Sequence, residues 1–190
     1  MQHTFKNRLF RLPFLLFMCF LFMPWSIADD GRLMERFPPN VEADNFELFD
    51  LNGNKRELDE FRGKFVLVNF WAMSCNVCKG EMTTLQDAYE LLGKKDLIVV
   101  SIHAGDDIKG AISVVELNEI TYPVLIDADL TLGGWGIPIL PTTFLVGPQG
   151  NIRYRAVGSR VWNSPFMIDF LQAQLDSSKL KLSYEDVSIH

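Results

Sequence analysis

The chain has 190 residues, 48% of them hydrophobic, and a formal net charge of −6 at pH 7. This length suits one domain with accessory segments, and the apolar content is sufficient for a packed core. The basic residues form no cluster beyond the extreme N-terminus, whereas nucleic-acid-binding surfaces carry a basic patch. We therefore expect no nucleic-acid partner.

The N-terminal segment is typical of a secretory signal peptide. Three basic residues precede an apolar run from Leu12 to Trp25, and Ser26-Ile27-Ala28 places small residues at the cleavage positions. We predict a signal peptide over residues 1–28. The apolar run is short for a membrane span, which needs about 20 residues, and an uncleaved anchor is the alternative.

The remaining chain divides by composition into three parts. Residues 29–44 are polar and contain Pro38-Pro39, which predicts a linker. Residues 45–176 carry periodic apolar patterns and are predicted to form the domain. The polar stretch 177–190 is predicted to be a C-terminal tail.

The domain begins with a predicted hairpin, because Asn52-Gly53 separates two short extended runs, 46–51 and 55–58. The nearly continuous apolar run 65–71 then predicts a strand covered on both faces. The patterns that follow predict, in chain order, a helix from 75 to 92, a strand at 97–102, a helix at 108–115, a strand at 122–126, a short helix at 129–135, a hairpin of strands 142–146 and 152–157, and a closing helix from Ser164-Pro165. The order predicts an α/β fold with a mixed central sheet flanked by helices.

Two cysteines, Cys75 and Cys78, stand where the predicted buried strand runs into a helix. The third cysteine of the chain, Cys19, falls in the predicted signal peptide. Exported proteins live where disulfides persist, but a bridge across three residues constrains the unfolded chain little. We therefore expect these two thiols to serve chemistry rather than to staple the fold.

The position of Cys75 at a helix start predicts its role. Free backbone N–H groups and the positive end of the helix dipole favour a thiolate there. We expect Cys75 to be the attacking nucleophile and Cys78, one turn further in, to be the resolving thiol that breaks a mixed disulfide.

Two motifs carry a resemblance to a known family. Phe70-Trp71-Ala72-x-x-Cys75-x-x-Cys78, followed by Leu140-Pro141-Thr142-Thr143-Phe144, resembles the thioredoxin superfamily, and within it the exported TlpA/ResA-like thiol–disulfide oxidoreductases. The resemblance implies a thioredoxin-like fold with an N-terminal β-hairpin and a central βα insertion.

The resemblance also implies roles for further residues. Pro141 is expected to be a cis-proline against the active-site disulfide, and Leu140 to contact a substrate strand. Glu81 is expected to handle protons at the cysteines, and Asn69 stands where cytoplasmic thioredoxins place a buried aspartate. An exposed helical glutamate is the alternative for Glu81. Trp71 is expected at the rim of the site, shielding the disulfide, with simple packing as its alternative.

Other residues receive structural interpretations. We expect Trp135 and Trp162 to be core or edge aromatics, and Pro123 and Pro138 to be trans. We expect His103 to lie in a solvated loop, with an approach to the site through the insertion as its alternative. Thr83 stands where many relatives have a helix-kinking proline, so the helix is expected to continue through it.

The expected function is exchange of a Cys75–Cys78 disulfide with protein cysteines in the periplasm or another extracytoplasmic space. We expect a monomeric reductase, for example in cytochrome c or copper-site maturation, kept reduced by a membrane electron donor. Asn76-Val77 leaves the potential open between about −270 and −120 mV, so an oxidase or isomerase remains an alternative. A metal-binding chaperone is a further one. We expect no cofactor and no metal, since zinc normally takes four ligands and the chain has three histidines.

Overall fold

The computed structural model describes the backbone of residues 33–93 and 97–187, and side chains as far as residue 177. The predicted signal peptide lies outside the described residues. None of the described helices is both long enough and apolar enough to cross a membrane. The described elements are, in chain order, β1 (Glu35–Arg36), β2 (Glu47–Asp50), β3 (Lys55–Glu57), β4 (Phe65–Trp71), α1 (Asn76–Leu92), β5 (Leu97–Ala104), α2 (Ile108–Leu117), β6 (Val124–Asp127), β7 (Thr142–Val146), β8 (Ile152–Val157) and α3 (Pro165–Val187).

The strands form one mixed sheet in the order β1-β8-β7-β4-β5-β6-β2-β3. The central strand β4 pairs with β5 in parallel and with β7 in antiparallel orientation. The crossover from β4 to β5 runs through α1, whereas β7 and β8 form the antiparallel hairpin. The α/β fold class and the mixed sheet are confirmed, and α2 with β6 occupies the place of the expected insertion.

The side chains of β4 alternate between two core clusters, one on each face of the sheet. All seven residues of this strand are buried. Phe65, Leu67 and Trp71 join a helix-side cluster with the buried residues of all three α-helices. Their neighbours on β4 point to the opposite face, where they pack with residues such as Phe46 and Trp135. This alternation is the two-residue period of a strand, and it explains the continuous apolar run.

The N-terminal and C-terminal boundaries differ from those predicted by composition. Part of the predicted linker lies along the domain, because β1 pairs with β8 and the side chain of Met34 is buried. The predicted tail continues α3 as far as Val187. Composition missed the first feature because only two residues form the strand, and the apolar side chains that pack against the core, among them Met34 and Phe37, lie among polar residues.

The aromatic residues on the face of the sheet opposite the helix-side cluster provide a test of core packing. Phe144 is completely buried, and its ring centroid lies 5.3 Å from that of Trp135 and 6.0 Å from that of Phe70. We expect Phe144→Ala to lower the free energy of unfolding by about 3–5 kcal/mol, since it removes buried contacts and leaves a cavity. Denaturant unfolding measures this loss.

Phe166→Ala is the matched control, because Phe166 is 79% exposed. A surface substitution of this kind changes the free energy of unfolding by about 0.5 kcal/mol or less. Equal losses in the two variants would contradict the core assignment of Phe144.

Candidate active site

The path from β4 into α1 places Cys75 at the first turn of the helix. The strand ends at Trp71, and the Cys75 N–H donates to the Ala72 carbonyl over 3.0 Å, which closes the connecting bend. Cys75 is the N-cap of α1, and its Sγ accepts a hydrogen bond from the Cys78 N–H at 3.2 Å. The predicted position of Cys75 at the helix start is confirmed, and its sulfur occupies the place of a capping oxygen.

The two cysteines are joined by a disulfide and differ in exposure. Cys78 is completely buried in the helix-side cluster, whereas Cys75 is only partly buried. An incoming sulfur can reach Cys75 more readily than Cys78. α1 continues without interruption through Thr83 to Leu92, as expected.

The loop before β7 carries the cis-proline at the same edge of the sheet. The Leu140–Pro141 peptide bond is cis, as expected, and is the only cis bond in the described part of the chain. Thr142 is the β-partner of Phe70, so Pro141 comes next to the end of β4, from which the cysteine turn departs. Pro141 is buried, and Leu140 is partly buried against both clusters.

Glu81 is buried, with 2% of its surface exposed, and its two carboxylate oxygens have separate donors. The Asn69 side-chain amide donates to Oε1 and the Arg160 backbone N–H donates to Oε2, each at 2.9 Å. Asn69 also donates to the Thr143 hydroxyl at 2.9 Å and accepts from the Ser101 hydroxyl at 3.2 Å. The alternative of an exposed helical glutamate is thus not what the structure has.

Burial raises the pKa of the Glu81 carboxyl above its ordinary value, while hydrogen bonds from the Arg160 N–H and from Asn69 oppose that rise. Burial also raises the pKa of the Tyr122 hydroxyl, and the negative charge of Glu81 adds to this effect. The site therefore holds a buried carboxyl whose proton is bound more tightly than in water.

Trp71 and His103 differ from their expected positions. Trp71 is completely buried instead of standing at the rim, which is its packing alternative. Its ring packs edge-on against His103 with centroids 4.8 Å apart. His103 is 1% exposed and belongs to β5, beside Trp71 in the parallel pairing, instead of lying in a solvated loop. The apolar run that predicted this strand ends before His103, and the polar imidazole gave no indication in the sequence that β5 continues. Trp135 and Trp162 are core residues, and Pro123 and Pro138 are trans, as expected.

Sequence reasoning missed Arg160 as a neighbour of Glu81. The two residues are 79 positions apart, and the hydrogen bond comes from the Arg160 backbone. A backbone donor leaves no signature in residue type. The turn residue Gly158, which has a φ of +84°, was the one local signal that the chain bends here.

A family model described as AhpC/TSA matches residues 39–155. The chain belongs to this family. Its relatives include the thiol-disulfide oxidoreductase ResA of Bacillus cereus, 30% identical over 161 residues that cover 82% of this chain and 91% of the relative. ResA of Geobacillus thermodenitrificans is 31% identical over 118 residues, which cover 62% of this chain and 68% of the relative.

Solved structures place the family member in the thioredoxin-like fold. A thiol:disulfide interchange protein of the thioredoxin family from Chlorobium tepidum superposes with a TM-score of 0.63, covering 71% of this chain and 96% of that chain at 23% identity. The resemblance to TlpA/ResA-like proteins is confirmed. The protein is a thiol–disulfide oxidoreductase.

The raised pKa of the buried Glu81 carboxyl predicts how the free energy of unfolding depends on pH. A glutamate whose pKa is higher in the folded than in the unfolded protein, where it is about 4.3, stabilises the fold fully only below that unfolded value. The contribution is lost as the pH rises through the folded pKa. We expect the free energy of unfolding of the oxidised wild type, minus that of oxidised Glu81→Gln, to fall as the pH rises from 4 to 8.

Urea unfolding of both proteins at several pH values measures this difference. All other titrating groups are shared by the two proteins, so their effects largely cancel in the subtraction. A difference that stays constant with pH would contradict a raised pKa for Glu81.

Proposed function

We propose that this oxidoreductase is an exported reductase of protein disulfides, with Cys75 as nucleophile, Cys78 as resolving thiol and Glu81 as the group that takes the proton of Cys78. The observation that carries the proposal is the arrangement of a partly exposed Cys75 over a buried Cys78, with a buried carboxyl on the following helical turn. The signal-like N-terminus and the ResA relatives support an extracytoplasmic location, periplasmic where the cell has one.

The first step is attack by the reduced enzyme on a substrate disulfide. The Cys75 thiolate forms a bond to one substrate sulfur, the substrate S–S bond breaks, and the other substrate sulfur leaves as a thiolate. The Cys78 N–H and the free N–H groups of the first turn of α1 favour the Cys75 thiolate before attack. A substrate strand docks along the loop of Leu140 and the cis-proline Pro141.

The second step releases the reduced substrate. Cys78 follows Cys75 by one helical turn, and Glu81 lies three residues beyond Cys78 on the same helix face. The Glu81 carboxylate accepts the Cys78 proton, and the new thiolate attacks Cys75 Sγ. The mixed disulfide breaks, the second substrate thiolate leaves, and the enzyme is oxidised while two electrons pass to the substrate.

The charge on Glu81 supports the reducing direction. A carboxylate held in a low-dielectric interior one turn from the cysteines opposes a thiolate at either sulfur. A strong oxidant such as DsbA owes its potential to stabilisation of its reduced form, and a buried negative charge has the opposite effect. Electrons must then come from a dithiol donor, for which a membrane protein is the proposed source, and cytochrome c or copper-site maturation supplies substrates of the required chemistry.

The assignment of the two cysteines is tested by trapping. We expect Cys75→Ser to abolish disulfide exchange, because no accessible thiol remains to attack. We expect Cys78→Ser to accumulate mixed disulfides between Cys75 and partner proteins, because the resolving thiol is absent. Non-reducing gels followed by mass spectrometry identify the trapped partners, and trapping by Cys75→Ser instead of Cys78→Ser would reverse the assignment.

The direction of electron flow is tested by the redox potential. We expect a wild-type potential nearer to about −270 mV than to about −120 mV, and a less negative value in Glu81→Gln at neutral pH. The difference between the two proteins should shrink as the pH falls and Glu81 becomes protonated. Equilibration with dithiol buffers, read by alkylation and mass spectrometry, measures both values.

A wild-type potential at the oxidising end would favour the oxidase or isomerase alternative. Failure to form a reversible Cys75–Cys78 disulfide in the same assay would remove both redox directions and favour a metal-binding chaperone.

A further inference from the structure

The loop of residues 158–160, which follows β8, contacts two parts of the active site. The Gly158 N–H donates to the carbonyl of the cis-proline Pro141 over 2.8 Å. Two residues later the Arg160 N–H donates to Glu81 Oε2 over 2.9 Å. The position of this loop therefore decides whether the buried carboxylate keeps its backbone donor.

The Arg160 side chain binds the backbone around this loop. Its Nε donates to the Leu33 carbonyl at 2.8 Å, and its Nη1 donates to the carbonyls of Gly158 at 3.1 Å and Ser159 at 3.0 Å. Two of these three acceptors belong to the loop itself and the third to the segment before β1. A planar guanidinium with several fixed donors can hold such a set, whereas a single ammonium group cannot reproduce its geometry.

We propose that Arg160 is a positioning residue for Glu81, because its guanidinium holds three backbone carbonyls and thereby keeps its own N–H on the Glu81 carboxylate. This inference rests on the proposed role of Glu81 as acceptor of the Cys78 proton. A hydrogen bond to a charged group favours the charged form. With the loop held in place, Glu81 is ionised at a lower pH than burial alone would allow.

Few other groups near Glu81 can titrate or carry charge. Cys78 precedes it on α1, and the buried Tyr122 faces it from the stretch before β6. Asn69 on β4 is a neutral donor to the same carboxylate. The side chains of Ser159, in the same loop, and of Trp162 also lower the pKa of the Glu81 carboxyl. A change in the Arg160 side chain therefore acts on Glu81 through the position of the whole loop.

The wild-type protein offers a direct measurement. In the reduced protein we expect the amide proton shift of Arg160 to change with pH at the point where Glu81 titrates, because the hydrogen bond weakens when the carboxylate is protonated. We expect this step to vanish in Glu81→Gln. If the amide proton shift of Arg160 in the wild type does not change with pH, the inference is overturned. This measurement does not require any Arg160 variant to fold.

The side-chain role is tested by Arg160→Lys, which keeps the charge but not the three-carbonyl geometry. The readout is thiolate absorbance against pH in the reduced protein. Removing the Glu81 charge in Glu81→Gln is expected to move the curve to lower pH. Arg160→Lys is expected to move it in the same direction, by up to about one pH unit, and to add nothing in the Glu81→Gln background.

Arg153→Lys is the matched control, since Arg153 is an exposed arginine of β8, and its curve should overlay the wild type. If Glu81→Gln moves the curve and Arg160→Lys does not, the positioning role fails while the proposed function stands. If Glu81→Gln leaves the curve unchanged, the proton-handling role of Glu81 fails, and the inference fails with it. A shift in Arg160→Lys that persists in the Glu81→Gln background would also overturn it.

Discussion

The burial of β4 on both faces is the constraint on which the rest of the structure depends. Its alternate side chains supply both core clusters, so neither face can form without it. The same strand ends at the turn that begins α1, which fixes where Cys75 lies. The proposed nucleophile thus follows directly on a strand that is buried on both faces, and rigid placement of this kind lowers the cost of orienting a reacting group.

Four buried polar residues, Asn69, Glu81, Ser101 and Thr143, form one hydrogen-bond network beside β4. Asn69 faces the helix side of β4, where its amide binds Glu81 and Thr143 and its carbonyl accepts from Ser101. Buried polar groups are costly without partners, and the partners of Asn69 come from the two strands beside β4 and from α1. The network therefore offsets part of the free-energy cost of burying a carboxyl one helical turn from Cys78. Burial raises the pKa of that carboxyl.

Residue type predicted those parts of the site that depend on residues close together in the chain. The Cys-x-x-Cys pair at a helix start, the Leu140-Pro141 loop and the helical position of Glu81 could all be identified along the chain. Trp71 and His103 could not be placed in this way. Their side chains are compatible with a rim or a loop, and only the pairing of β4 with β5 puts them together in the interior.

The sequence by itself determined the order of strands and helices from β2 onward, the two cysteines that form the disulfide and the helix start at which Cys75 lies. These features depend on periodicity and on contacts between residues close in the chain. Tertiary structure alone decided that Glu81 is buried, that the backbone of Arg160 reaches it across 79 positions, and that the Leu33 carbonyl accepts a hydrogen bond from the same arginine. The physical reason is that a backbone donor can be supplied by any residue except proline, so the chain carries no mark of which one the fold brings to the carboxylate.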